Sequence, residues 1–76
     1  MIPDDVKFHI RARLAQSGNT GLSVAEIYDY LIGEYGVAVA TKEQIRSYLE
    51  YETERPCTPI YKQSAGTGYV RYFNHE

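Results

Sequence analysis

Two short signatures fix where two of this chain's helices must begin. Ser23 is followed three residues later by Glu26, and Thr41 three residues later by Gln44. In each, a hydroxyl accepts from the backbone N–H of the third residue, whose side chain reaches back to the N–H of the cap. Leu22 and Ala40 stand just before the caps, and Ile27 and Ile45 one turn inside, at the spacing of a hydrophobic staple. The pattern predicts one helix over residues 24–35, stopped by Gly36 in a left-handed conformation. Its buried stripe is Val24, Ile27, Tyr28, Leu31 and Tyr35. A second helix is predicted from residue 42 to about 52, with Ile45 and Leu49 inward and Tyr48 and Glu52 on the flank.

The remaining elements follow from periodicity. Val6, Ile10 and Leu14 recur every four residues, with Phe8, Ala12 and Ala15 widening the stripe, which predicts an earlier helix from residue 4 or 5 to 16. Asp4 is the expected cap. Residues 17–21, Ser-Gly-Asn-Thr-Gly, end it. Past the third helix, Pro56 and Pro59 force an extended path. Residues 60–63 and 69–73 read as strands joined by a glycine-containing turn, a hairpin signal. Val70 and Tyr72 are expected on one face, Tyr69, Arg71 and Phe73 on the other, and residues 74–76 as a frayed end. A hairpin alone is marginal in water, so it must pack on the helices.

Composition narrows the function classes. The 76 residues suit a single domain over 1–76, and a chain this short buries only roughly 60% of its unfolded surface. That leaves little room for a deep substrate cavity, and no constellation of catalytic residues is visible, so no enzyme, cofactor or small-molecule substrate is expected. Cys57 is the one cysteine, so neither an internal disulfide nor a cysteine zinc site is available, which fits a reducing, cytoplasmic setting. His9 and His75 have no metal-ligand spacing, and Gly66-Thr67-Gly68 lacks the lysine and helix of a phosphate-binding loop. No run approaches the ~18 apolar residues of a membrane span. The net charge of −2 excludes a strongly basic coat for nucleic acid.

The order of elements, and the quoted segments, resemble a winged helix-turn-helix domain from Val6 to Phe73. Gly21-Leu22-Ser23-Val24-Ala25-Glu26-Ile27 looks like the entry to such a domain's second helix, with a short strand over residues 21–23 beside the wing. Residues 41–49, Thr-Lys-Glu-Gln-Ile-Arg-Ser-Tyr-Leu, look like its recognition helix, and Tyr61-Lys62-Gln63 with Tyr69-Val70-Arg71-Tyr72-Phe73 like the wing. The resemblance implies an α+β fold of three helices followed by a two-stranded wing. It implies sequence-dependent binding of double-stranded DNA, as in small bacterial and phage transcriptional regulators. Lys42, Lys62 and Arg71 would meet phosphates, Arg46 would read guanine, and Ser47, Gln63, Ser64 and Thr67 would add contacts. Glu43, Glu50, Glu52 and Glu54 depart from this pattern, because carboxylates repel phosphates. They restrict entry into a groove to the start of the helix.

The eight tyrosines admit an alternative. Tyr48, Tyr51, Tyr61 and Tyr69 are candidates for a protein interface, with either a partner protein or a second copy.

Overall fold

A computed structural model describes residues 2–64 and 70–74 of the chain. Three helices, α1 (Asp4–Ser17), α2 (Val24–Tyr35) and α3 (Lys42–Glu54), precede two strands, β1 (Ile60–Ser64) and β2 (Val70–Asn74). The strands pair antiparallel, from Ile60 opposite Asn74 to Ser64 opposite Val70. The result is a small α+β domain. No helix among the described residues is long and apolar enough to cross a membrane.

Both capping boxes form. The Ser23 N–H donates to Glu26 Oε1 at 2.9 Å and the Glu26 N–H to Ser23 Oγ at 3.3 Å. At α3 the Thr41 N–H donates to Gln44 Oε1 at 2.9 Å and the Gln44 N–H to Thr41 Oγ1 at 3.1 Å. Leu22, Ile27, Ala40 and Ile45 are all buried around them. Gly36 ends α2 at φ 78, its N–H donating to Ile32 O at 2.7 Å. Thr41→Ala is expected to cost ~1 kcal/mol, which is about 4–8 °C of melting temperature in a small domain. Ser23→Ala should cost more, because Glu26 also holds Arg71 at 3.0 Å. Thermal unfolding of the two variants checks the order.

The first helix departs from expectation at its start and on one face. Pro3 occupies the cap position without a side-chain bond, so Asp4 is the first helical residue rather than the cap. Asp4 and Asp5 still favour the positive end of the helix dipole. Val6, Ile10 and Leu14 are buried, but Phe8 is 62% exposed. The reason is geometric: two residues beyond Val6, a helix has turned most of the way to its other side.

The core joins Val6, Ile10 and Leu14 to Ile27 and Leu31 of α2, Ile45 and Leu49 of α3, and Ile60 and Tyr72 of the hairpin. Val24, Tyr28 and Tyr35 of the predicted α2 stripe are only half-buried. α3 goes the other way. Tyr48 and Glu52 are buried with Ile45 and Leu49, not left on a flank. Glu52 keeps a partner, accepting from Arg55 Nη1 at 2.8 Å.

β2 is covered on both faces. Tyr72 is buried among the helices and Phe73 stacks on Tyr61 at a centroid distance of 5.0 Å. Asn74, expected to fray, is buried and donates from Nδ2 to Arg11 O at 3.0 Å. The short strand expected over residues 21–23 reduces to one bridge. Leu22 N–H donates to Tyr72 O at 2.9 Å and Tyr72 N–H to Leu22 O at 2.7 Å. That bridge ties the hairpin to the segment entering α2.

Candidate functional site

The exposed side of α3 and the adjoining hairpin carry most of the nominated residues. Ile45, Tyr48, Leu49 and Glu52 hold the helix down by one face, leaving Lys42, Glu43, Arg46, Ser47 and Tyr51 exposed on the rest. Lys42 and Arg46 lie one turn apart near the N-terminus, followed in the same row by Glu50.

Carboxylates stand among these cations. Arg46 Nη2 donates to both oxygens of Glu43, at 2.7 and 2.8 Å. Lys62 Nζ, from β1, donates to Glu50 Oε2 at 2.6 Å. The other Glu50 oxygen accepts from Tyr72 Oη at 3.2 Å. These bonds hold the Glu50 carboxyl below its ordinary range, Lys62 contributing most. The Tyr72 hydroxyl is pushed up to about 12, first by burial and then by the charge of Glu50. Glu50 therefore fastens α3 to both strands of the hairpin and brings Lys62 onto the side of α3 that carries Arg46.

Lys42 is different. Its Nζ lies 5.4 Å from the centre of the Tyr28 ring, and no ion pair joins it to a carboxylate among the described residues. Arg71 is engaged most heavily. Its Nε donates to Thr20 O and its Nη2 to Gly21 O, both at 2.8 Å, and it pairs with Glu26 at 3.0 Å. The Glu26 carboxyl is held low, chiefly by the Ser23 N–H, with Arg71 adding to the effect. Arg71 thus clamps the hairpin to the loop before α2. Gln63 and Ser64 are exposed at the end of β1. Thr67 and Tyr69 lie outside the described residues.

The nominated tyrosines do not gather on one surface. Tyr48 is 8% exposed, within the core, and burial followed by the charge of Glu52 pushes its hydroxyl up to about 12. Tyr61 is half-buried against Phe73. Tyr51 alone of the described three is largely open, at 64%. It borders a groove of about 380 Å³ between the start of α1 and α3, to which Ile2, Lys7 and Ser47 also contribute.

Sequence reasoning nominated neither Ile2 nor Lys7, and no spacing signal links them to α3. It also missed which carboxylate meets which cation. The Glu43–Arg46 pair was legible as an i, i+3 neighbour on a helix. The Lys62–Glu50 and Arg71–Glu26 pairs cross between elements and needed the fold. Comparison of the chain with protein-family models, curated proteins and solved structures returns no match.

Proposed function

We propose that this chain is a winged-helix DNA-binding protein, acting as a small transcriptional regulator. The start of α3 enters the major groove and β1 lies along the neighbouring backbone. The observation that carries this reading is the placement of Lys62 beside Glu50, in the row of α3 that also holds Arg46 and the exposed Lys42. The Leu22–Tyr72 bridge supports it, since it makes the hairpin continuous with the segment before α2.

The energetics allow the carboxylates to be displaced. The Arg46–Glu43 pair is exposed on both sides and such pairs are worth ~0–1 kcal/mol. A bidentate arginine–guanine contact is worth ~1–3 kcal/mol of discrimination. A single nitrogen, Nη2, meets both oxygens of Glu43, whereas guanine O6 and N7 take two guanidinium nitrogens side by side, so Arg46 gains by exchanging one for the other. Lys42 and Lys62 supply phosphate contacts. Arg71 supports the interface by holding the hairpin rather than by touching DNA. Two phosphate contacts give a salt slope of roughly −1.8, at ~0.9 per contact. This is weak, selective binding of the kind a chain with net charge −2 can sustain.

Fluorescence anisotropy on mixed-sequence duplex DNA across a salt series tests the reading. Negligible binding at low salt would sink it. Arg46→Ala should lower affinity by roughly 5- to 150-fold and relax sequence preference, the loss of ~1–3 kcal/mol. Lys62→Ala should weaken all sequences alike. Glu50→Gln should tighten binding by up to roughly eightfold at 0.1 M salt, the worth of one released contact.

A second reading, a protein-interaction module on the same scaffold, is favoured by one observation, the groove beside exposed Tyr51. It predicts negligible duplex binding and a partner protein that no longer binds the Tyr51→Ala variant.

A further inference from the structure

α1 has two apolar faces, and the fold uses one. Val6, Ile10 and Leu14 belong to the core, whereas Phe8 leaves 62% of its surface open. The Phe8 ring meets the edge of His9 at 5.9 Å. Beside it lies a depression of about 250 Å³ lined by Phe8, Arg11, Ala12, Ala15 and Asn74. The first four stand at i, i+3, i+4 and i+7. Those are the four corners of the hole that receives a side chain in knobs-into-holes helix packing. Two of the corners are alanines, which leaves the hole deep enough for an aromatic ring.

Knob and hole therefore sit on the same face of one helix. That is the requirement for an isologous contact, in which each copy offers the other the same patch. Charge sets the direction. Asp4 and Asp5 occupy the first turn of α1, while Arg11, a corner of the hole, lies in its second half. A parallel pair would stack like charges and align the two helix dipoles. An antiparallel pair brings the acidic start of each helix toward Arg11 of the other and opposes the dipoles.

We propose that a second copy of this chain docks here, α1 antiparallel to α1, with the Phe8 of each copy seated in the depression of the other. A helix of 14 residues is about 21 Å long, at ~1.5 Å per residue. One such contact falls short of the ~800 Å² per partner of a standard interface. The dimer is consequently weak and concentration-dependent. α3 packs against α2 and β1, away from the Phe8 face of α1, so its exposed face stays open in the pair.

Sedimentation velocity of the full chain, from micromolar to millimolar concentration, reads the association. The average mass is expected to rise from 8.7 kDa toward twice that value. Amide resonances of Phe8, Arg11, Ala12 and Ala15 should shift with concentration. Phe8→Glu removes the knob and Ala12→Arg fills the hole. Each should stay monomeric at every concentration, with an unchanged circular dichroism spectrum. A chain monomeric up to millimolar concentration overturns the proposal. So does a dimer that survives both variants, or shifts that map instead to the groove beside Tyr51. No DNA enters the experiment, so its outcome is independent of the DNA-binding reading.

Discussion

Adding one methyl group at position 21 is expected to remove a large part of this domain's stability. Gly21 sits at φ +67, and a Cβ built there would lie 2.5 Å from Phe73 Cε2 and 2.7 Å from Cζ. The backbone term alone costs ~1–2 kcal/mol for an L side chain in the left-handed region. The overlap adds ~1–3 kcal/mol, the usual cost of overpacking, because the Phe73 ring is held by its stack on Tyr61. The Gly21 carbonyl also receives Arg71, so any shift of the loop loosens that clamp. Gly21→Ala should therefore cost about 2–5 kcal/mol and lower the melting temperature by roughly 8–40 °C. Gly33→Ala is the control. It lies in α2 with nothing within 4 Å of its Cβ, and should stabilise by ~0.5–1 kcal/mol. Calorimetry on the two variants separates them by sign. A Gly21→Ala variant that melts with the parent would mean that Phe73 does not cover the loop.

How much of this was legible in the sequence depends on the range of the interaction. The capping boxes, the staples and the stop at Gly36 use partners within a few residues, and all were readable before any fold was known. The paired strands of the hairpin were readable in outline because their sequence patterns are local, while the turn expected between them lies outside the described residues. Asn74 was misread as fraying because its anchor, the Arg11 carbonyl, lies in a different element. Phe8 was misread for another reason. A window of apolar residues does not say which of two helix faces the rest of the chain will cover. Tyr48 became core because the start of the chain and α3 close together around it, as the groove shared by Ile2, Lys7 and Tyr48 records.

The candidate site shows the same division. Lys42, Arg46 and Ser47 were placed correctly on the open side of a helix, since the buried ridge of α3 fixes the opposite side. Their electrostatic state was not legible. A count of five basic and five acidic residues over 41–76 does not reveal that Lys62 lies on Glu50 and Arg46 on Glu43. Those pairs lower the local potential without burying the cations. The DNA-binding reading accordingly rests on geometry and exchangeable contacts, and it predicts a shallow salt slope.

Tyr72→Ala is expected to show that packing, more than the hydrogen bonds of its hydroxyl, holds the hairpin to the helices. Tyr72 is 2% exposed, meets the core with its ring, and bonds Glu50 with its hydroxyl. Truncating a buried aromatic costs ~3–5 kcal/mol, from lost transfer energy and the cavity left behind. Tyr72→Phe removes only the bond to Glu50, a loss of ~0.5–1.5 kcal/mol, and Glu50 retains Lys62. The Leu22 bridge uses the backbone of residue 72 and is available to both variants, so the difference between them isolates the ring. Urea unfolding should place Tyr72→Ala about 2–4 kcal/mol below Tyr72→Phe. Equal stability of the two would assign the attachment to the Glu50 bond instead. The same pair tests what the hairpin contributes to binding. Lys62→Ala should weaken duplex affinity at a stability cost of no more than ~1 kcal/mol, whereas Tyr72→Ala should lose stability and affinity together, because Lys62 reaches the α3 surface only while the ring keeps β1 and β2 in place.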